Sequence, residues 1–361
     1  MEQLTIWKNE ICQPDAAAAA AAGERWDSIA KPLDGLGELE RIIVKIAAMQ
    51  GTPDVEISPS ALYIFCADNG IIREGVSQSD ASVTAAVARS MAKGRSAVCL
   101  MAKTAGVEVC PVDIGILEEI SEPGLRNCRV RRGTEDFLEA PAMSREEALE
   151  AVRCGVRLAG EAYDRGIRLL MAGEMGIGNT TTSAALAAAL QAVPPDDVCG
   201  RGAGLCDESL KRKREVIRRG TERWGFGRSP VKEPEEALRA LACLGGLDIA
   251  GICGLFIGGA IHRIPVVIDG LICAAAALAA ERLVPGTKAY MLASHAGRGR
   301  AVPLILEELG LTPVIHADLA LGEGTGAVLL KPLLDMALAV YRGETHFSEL
   351  SMEPYRRYDK I

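Results

Sequence analysis

Residues 167–186, IRLLMAGEMGIGNTTTSAAL, place a glycine-rich turn between an apolar run and a predicted helix. Residues 167–172 have the composition of a short buried strand. The glycines that follow permit left-handed backbone and let N–H groups approach an anion without a Cβ in the way. With Asn179 or Thr180 capping the next helix, this strand-turn-helix unit is predicted to cradle a phosphate.

Outward from this unit, short apolar runs alternate with helical segments. Predicted strands cover residues 61–67, 107–114, 167–172, 264–268 and 289–293, and predicted helices cover 83–105, 144–165, 180–192, 207–220 and 300–309. Such alternation is typical of βαβ units. It predicts an α/β fold with a Rossmann-like parallel sheet, whose ligand lies beyond the carboxyl ends of the strands.

Both chain ends are predicted to be helical. Asp15 is expected to cap an alanine-rich helix that ends near Gly23, and residues 38–50 carry apolar side chains at helical spacing. Residues 329–341 form a further apolar-faced helix, which is expected to pack on the N-terminal helices. We therefore predict a small helical domain, residues 1–50 plus 330–361, and a large α/β catalytic domain, residues 51–329.

Composition limits the partners of the chain. Its 361 residues carry a net charge of −8, which disfavours a surface that binds nucleic-acid phosphates. Residues 241–260 are long and apolar enough for a membrane span, but Asp248 and six glycines favour a buried helix. The 11 cysteines include no C-x-x-C pair, and the N-terminal residues show no apolar signal region. We expect a cytoplasmic protein with reduced thiols and no membrane or nucleic-acid partner.

Two more glycine-rich loops, GRGAG at residues 200–204 and GEGTG at 322–326, accompany the first. Glu174 and Glu323 lie inside such loops, and burial there would make either a candidate general base. The alternative is that each glutamate caps its loop or faces solvent. Neither G-x-G-x-x-G nor G-x-x-x-x-G-K-[ST] occurs, so a dinucleotide-dependent oxidoreductase and a P-loop enzyme are disfavoured.

Polar residues followed by glycine also end other predicted strands. Asp68-Asn69-Gly70 follows the first strand, and Asp269-Gly270 follows residues 264–268. This placement is typical of site loops, although Asn-Gly is also a common turn pair. Lys213 lies on a basic helix, most of which is better interpreted as a solvated charged face.

Together these motifs resemble the nicotinate-nucleotide:dimethylbenzimidazole phosphoribosyltransferase family of cobamide biosynthesis. The matching stretches are KPLDGLGELE (31–40), CADNGIIREGVS (66–77), GEMGIGNTTTSAAL (173–186), GRGAGL (200–205), LGGLDIAG (244–251), PVVIDGLICAAAAL (265–278), ASH (293–295) and LGEGTGA (321–327). They occur in the family's order, and the combination is far more specific than any single loop.

The resemblance implies transfer of ribose 5-phosphate from nicotinate mononucleotide to 5,6-dimethylbenzimidazole, which gives α-ribazole 5′-phosphate and nicotinate. It implies a pentosyltransferase without cofactor or metal, with Glu323 as general base and Glu174 as a second active-site carboxylate. The implied substrate-binding residues are Met175, Gly176, Gly178, Asn179, Thr180, Gly202, Lys213, Asp269, Gly270, Ser294, Ser77, Ser79 and Asp80. A homodimer is implied, or a heterodimer with a related subunit.

The chain departs from the family pattern in two loops. After Ser77 the family often has A-Y-P-Q-E-V-T, whereas residues 78–84 read QSDASVT. After His295 it commonly has Ser-Ala-Glu, whereas residues 296–300 read AGRGR. Two alternatives therefore stay open: the same reaction on a phenolic acceptor such as phenol or p-cresol, or a non-catalytic nucleotide-binding homologue.

Overall fold

Six parallel strands form the centre of the fold in the computed structural model, which describes residues 2–343 and 345–357. The strands are Ser60–Ala67 (β1), Val107–Gly115 (β2), Arg126–Asn127 (β3), Leu169–Met175 (β4), Val266–Ile268 (β5) and Met291–Ala293 (β6). Their order is β3-β2-β1-β4-β5-β6, and all neighbours are parallel. The predicted α/β class with a Rossmann-like parallel sheet is confirmed.

Helices cover both faces of this sheet. They are Glu2–Glu10 (α1), Ala16–Ser28 (α2), Glu38–Gln50 (α3), Ser82–Ala92 (α4), Ala97–Ala105 (α5), Arg145–Asp164 (α6), Asn179–Gln191 (α7), Pro195–Val198 (α8), Asp207–Arg223 (α9), Pro234–Leu244 (α10), Leu247–Ile261 (α11), Leu271–Leu283 (α12), Ala301–Leu309 (α13) and Thr325–Tyr341 (α14). Within the described residues, none of them is long and apolar enough to cross a membrane.

Strand β1 explains why the strands read as continuous apolar runs, because all eight of its residues are buried. Tyr63 and Phe65 face a core formed with α6, α7, α10, α11 and α12. Leu62 and Ile64 face a second core, formed with α2, α3, α4, α5 and α14. The sheet is therefore covered on both faces, and its carboxyl edge is left for a site.

Two predicted helices have different limits in the structure. Asp15 caps α2 as expected, but the helix continues through Gly23 to Ser28 because Ala22 and Trp26 pack into the core one turn apart. The single helix predicted at residues 83–105 is two helices, since the chain turns at Gly94 with a φ of 68° and Ser96 caps the second helix.

The apolar stretch 241–260 is also divided. It ends α10 at Leu244 and resumes as α11 at Leu247, with Gly245 and Gly246 between the two helices. Asp248 therefore lies in the first turn of a buried helix, and its side chain is fully buried. This break brings a carboxylate to the edge of the sheet where β1 and β4 end.

The chain ends meet as expected. The rings of Trp26 and Tyr341 lie 5.0 Å apart, and the Arg25 Nε–H donates to the Tyr341 carbonyl over 3.1 Å. The helices α2, α3 and α14 share their core with one face of the sheet. The division into two domains stays a prediction.

Candidate active site

The site residues gather where β1 and β4 diverge. From this pair the chain order runs outward in opposite directions, to β2 and β3 on one side and to β5 and β6 on the other. Such a reversal opens a crevice at the carboxyl ends of the strands. A Cβ placed at Gly176, which follows β4, would lie 3.1 Å from the side-chain nitrogen of Asn69, which follows β1. The two strand ends are thus in direct contact.

A buried polar cluster occupies this crevice. The Asn179 side-chain amide donates to Glu174 Oε2 over 2.5 Å and to Asp248 Oδ2 over 3.0 Å. Asn179 is the first residue of α7, and Gly178 is the N-cap with a φ of 98° and no side-chain cap. The predicted capping by Asn179 or Thr180 is therefore wrong, because the Asn179 side chain turns away from the helix to join two carboxylates.

The surroundings raise the pKa of both carboxyl groups. Burial raises the pKa of Glu174 to about 7, against the hydrogen bond from Asn179, and the negative charge of Asp248 raises it further. Burial likewise raises the pKa of Asp248 to about 6. Two buried acids that share one amide donor are costly to ionise together. The cluster can therefore hold a proton near neutral pH.

The loop that carries Glu323 is held in an unusual conformation. Gly322, Glu323 and Gly324 have φ angles of 84°, 60° and 88°. Left-handed backbone is rare for glutamate, and it persists only where the surroundings fix it. Asp269 supplies that fixation, because its carboxylate accepts from the Gly324 N–H over 3.1 Å and from the Gly326 N–H over 2.7 Å.

The Glu323 side chain is left with a free acceptor. Its Oε2 is buried and has no hydrogen-bond partner within residues 2–343 and 345–357. Burial raises the pKa of Glu323 above the usual value, against the Val98 N–H and the Ser96 hydroxyl, while the charge of Asp269 raises it further. A buried carboxylate with a free oxygen and a raised pKa is suited to accept a proton.

Residues at the ends of β5 and β6 support this loop. Ser294 donates to the Ile268 carbonyl over 2.6 Å and lies 2.9 Å from His295 Nδ1. That ring nitrogen is 3.9 Å from Asp269 Oδ1. A Cβ at Gly326 would lie only 2.1 Å from the same nitrogen, so any larger residue there would displace the histidine.

Gly270 follows Asp269 as the N-cap of α12. Both Asp269 oxygens accept backbone hydrogen bonds, which favours a positioning role for Asp269 over direct contact with a ligand.

Lys213 forms the cationic part of the site. Its side chain is fully buried on α9, and its ammonium donates to Thr180 Oγ1 over 2.7 Å and to the Gly200 carbonyl over 3.3 Å. A Cβ at Gly202 would lie 3.6 Å from Nζ. Burial lowers the pKa of Lys213 to about 8. Lys213 makes no ion pair with a carboxylate of the described residues, so a buried positive charge is available to an anion.

The first segment that departs from the family pattern contacts the GRGAG loop. Gln78 Nε2 donates to the Gly204 carbonyl over 2.7 Å, which joins this segment to the GRGAG loop. Ser77 Oγ accepts from the Ser79 N–H over 3.1 Å. Asp80 is exposed and accepts from Ser82 just before α4, and these bonds lower its pKa.

The second departing segment makes contacts away from the Lys213 cation. Arg298 Nε donates to the Asp318 carbonyl over 2.8 Å, and Arg300 pairs with Asp197 at 3.0 Å.

The predicted site residues thus fall into connected groups. The β4–α7 turn carries Glu174, Gly176, Gly178 and Asn179, lies next to Thr180, Gly202 and Lys213, and follows Met175 at the end of β4. The Glu323 loop is surrounded by Asp269, Gly270 and Ser294. The GRGAG loop has Ser77, Ser79 and Asp80 beside it. The Glu323 N–H contacts Glu174 Oε1 at 3.4 Å and so links the two carboxylate loops.

Sequence reasoning missed Asp248 as a site residue. In the sequence, Asp248 stands within the LGGLDIAG stretch of the family resemblance and otherwise only interrupts an apolar run. The available signal was the Gly-Gly pair before it, which marks a helix start. His295, which stands in the ASH motif, was likewise given no role in the site from the sequence.

Comparisons with known proteins show the family of this chain. A family model described as Phosphoribosyltransferase matches residues 11–351. A protein of Acetivibrio thermocellus named nicotinate-nucleotide--dimethylbenzimidazole phosphoribosyltransferase is 40% identical over 332 residues, which cover 92% of this chain and 93% of that protein. A protein of Chloroflexus aggregans with the same name is 40% identical over 350 residues, which cover 97% of this chain and 98% of that protein.

The fold is also similar to a solved structure. The crystal structure of CobT from Thermus thermophilus superposes with a TM-score of 0.87 at 38% identity, over 93% of this chain and 99% of that chain.

Proposed function

This chain belongs to the nicotinate-nucleotide:dimethylbenzimidazole phosphoribosyltransferase family, and we propose that it transfers ribose 5-phosphate from nicotinate mononucleotide to 5,6-dimethylbenzimidazole. The products are α-ribazole 5′-phosphate and nicotinate. This activity places the chain among the pentosyltransferases that prepare the lower ligand of cobamides.

One observation carries the proposal. Within residues 2–343 and 345–357, the buried Lys213 ammonium has no carboxylate partner and the buried Glu323 Oε2 has no donor. Both groups lie on segments that contact the β4–α7 unit, Lys213 through Thr180 and the Glu323 loop through Glu174. The first needs an anion such as a 5′-phosphate, and the second needs a proton. A phosphorylated sugar transferred to an N–H acceptor supplies both.

The reaction makes modest chemical demands on the protein. In nicotinate mononucleotide the bond from C1′ to the pyridinium nitrogen breaks, and its electron pair returns to nicotinate, which leaves as a neutral ring. A nitrogen lone pair of the azole forms the new bond from the opposite face. The azole then carries a positive charge, and its other N–H loses a proton to Glu323. Positioning and one proton acceptor are sufficient for this step.

The other site residues then have separate tasks. Lys213, Thr180 and Gly202 bind the phosphate together with the N–H groups of the β4–α7 turn. Glu174, next to Asn179, faces the same loop as Glu323 and favours positive charge at C1′ when it is ionised. Asp269 holds the Glu323 loop in place.

A competition assay tests the proposed function. The purified chain is incubated with nicotinate mononucleotide and an equimolar mixture of dimethylbenzimidazole, adenine, phenol and p-cresol, and the products are separated by mass. The benzimidazole nucleotide is expected to dominate. Phenolic products would instead make the residue 78–82 segment the seat of a changed acceptor preference. Tight nucleotide binding without any product would overturn the proposal in favour of a binding homologue.

Replacing the buried cation should weaken nucleotide binding. Lys213→Met removes a charge-assisted hydrogen bond of about 1.5–3 kcal/mol, so the KM for nicotinate mononucleotide is expected to rise about 10- to 100-fold. Lys213 has a depressed pKa, so its buried charge costs stability below pH 8, and the variant should be no less stable there than the parent. Initial rates and urea unfolding at pH 7 measure both effects.

The matched control is Lys211→Met, which removes an exposed lysine from the same helix. Its KM should equal that of the parent. If Lys211→Met raised the KM as much as Lys213→Met, the general field of the basic helix would explain the binding, and the specific phosphate contact would be refuted.

We also propose that the protein is a cytoplasmic homodimer. All 11 cysteines are free thiols, which suits a reducing compartment. Leu329, Met336 and Val340 lie on one face of α14 and are 37%, 59% and 39% exposed. Leu100, on the adjoining helix α5, is 61% exposed. Such an apolar face is typical of a protein interface.

A charge in this face should separate the subunits. Met336→Glu is expected to convert a dimer into a monomer, because a carboxylate would be desolvated between two apolar helices. Sedimentation velocity measures the halved mass. Ile6→Glu is the control, since that exposed side chain lies on α1, whose buried residues join the core on the other face of the sheet. A monomeric parent, or a dimeric Met336→Glu, would contradict the assignment.

A further inference from the structure

Two cysteines far apart in sequence meet outside the active site. Cys128 follows the edge strand β3 and is half-buried, whereas Cys154 is buried on α6. The Arg157 guanidinium contacts both, with Nη2 at 3.6 Å from each sulphur. Because both sulphurs contact the same nitrogen, they lie close to each other across the β3–α6 contact. The 25 residues between them hide the pair from any C-x-x-C search.

Positive charge dominates the surroundings of this pair. Arg157 lies on α6 and donates through Nη1 to Glu161 over 2.9 Å. Glu161 also pairs with Arg126 of β3, so one carboxylate lies between two guanidinium groups. The thiol pair therefore has two cations and one anion as its charged neighbours on these two elements. A net positive charge favours a thiolate.

The asymmetry of the pair assigns different roles to the two sulphurs. The neighbouring Cys154 thiol and the Arg157 guanidinium lower the pKa of Cys128 well below its usual value, while the nearby Cys128 raises the pKa of Cys154. Cys128 is also the more exposed of the two. An accessible thiolate next to a protonated, buried thiol is the arrangement of an attacking and a resolving cysteine.

We propose that Cys128 and Cys154 form a hydroperoxide-reactive dithiol site, independent of the transferase site. The Cys128 thiolate attacks one oxygen of hydrogen peroxide, the O–O bond breaks, and the departing hydroxide takes a proton to become water. Cys128 is thereby oxidised to a sulfenic acid. Cys154 then attacks the Cys128 sulphur, the S–O bond breaks, and the hydroxyl leaves as water with the Cys154 proton. Two thiols and one peroxide thus give one disulfide and two waters.

The product would join the edge strand to helix α6. It is readily identified, because trypsin cleaves after Arg126, Arg129, Arg153 and Arg157. The linked product is the tripeptide NCR of residues 127–129 joined to the tetrapeptide CGVR of residues 154–157.

The test uses the reduced full chain. It is exposed to a few equivalents of hydrogen peroxide, alkylated with N-ethylmaleimide, digested and analysed by mass spectrometry. We expect the NCR–CGVR disulfide to form before any other thiol is lost, including Cys206, which is exposed and hydrogen-bonds with Ser209 but has no second thiol to resolve a sulfenic acid. In Cys154→Ala the resolving thiol is missing, so dimedone should trap a sulfenic acid at Cys128. Oxidation of Cys206 at the same rate as Cys128, or no linked peptide, would overturn the proposal.

Alkylation rates give a second readout that needs no peroxide. Arg157→Gln removes the cation, so N-ethylmaleimide should modify Cys128 about tenfold more slowly at pH 7 than in the parent. Arg153→Gln is the matched control, because this exposed arginine of the same helix contacts Glu150 and neither sulphur. Equal rates in the parent and in Arg157→Gln would show that the guanidinium does not activate the thiol, against the proposal.

Discussion

Glu323→Gln is expected to lower kcat by about 10²-fold or more while the KM for nicotinate mononucleotide changes little. The amide keeps the size of the side chain but cannot accept the azole proton. The substitution leaves the buried ammonium of Lys213, which holds the phosphate in the proposed mechanism, untouched. Steady-state rates over a range of both substrates separate the two effects.

The pH profile adds a test of the same role. Burial raises the pKa of Glu323, so kcat/KM of the parent should increase with pH through a value above that of an exposed glutamate. This ascending limb should be missing in Glu323→Gln. Glu307→Gln is the control, because it makes the same chemical change at an exposed position. Near-normal turnover of Glu323→Gln would remove this carboxylate from the mechanism.

The backbone at Glu323 allows a separate prediction about stability. Left-handed backbone costs a non-glycine residue about 1 kcal/mol, and glycine avoids this cost. Glu323→Gly should therefore be inactive and yet at least as stable as the parent in urea unfolding. Stability alone would favour glycine at this position between two glycines, and the proposed role of Glu323 as general base gives a reason for a glutamate there. A clear loss of stability would show that the side chain has a structural role.

The fold could be predicted largely because a parallel sheet covered on both faces produces continuous apolar strands. Strand β1 is buried along its whole length, and its apolar run marks it in the sequence. The helix break near Gly94 was missed, since apolar spacing continues across it. The limit of α2 was missed because Gly23 reads as an end, while the burial of Trp26 depends on tertiary packing.

The site could be predicted only as a set of loops. Side-chain direction decides the rest, and it depends on where helices begin. A shift of one residue makes Asn179 the first helical residue and not the cap, which changes its partners from backbone groups to two carboxylates. Asp248 could be recognised as a site residue only from the structure, because the start of α11 places it next to the end of β4. Lys213 shares helical phase with the buried Val216 and Ile217, so the sequence did contain a signal for its burial.

Glu174→Gln is expected to stabilise the protein at alkaline pH while it lowers activity. The pKa of Glu174 is raised from 4.5 to about 7 in the folded state, so folding favours the protonated acid. This favourable contribution is complete below pH 4.5 and is lost as the pH rises through 7. The loss amounts to about 3 kcal/mol for such a shift. Glutamine stays neutral at every pH, so the variant should not show this loss of stability.

The measurement is the free energy of unfolding in urea at pH 4.5 and pH 8.5. The two proteins should differ little at pH 4.5, and the variant should be more stable at pH 8.5 by up to about 3 kcal/mol. Glu146→Gln, at an exposed position, should follow the parent at both values. A difference independent of pH would mean that the pKa of Glu174 is the same in the folded and unfolded states. In that case the Asn179 amide would have to offset the cost of burying the Glu174 charge, and the proton held near neutral pH would belong to Asp248.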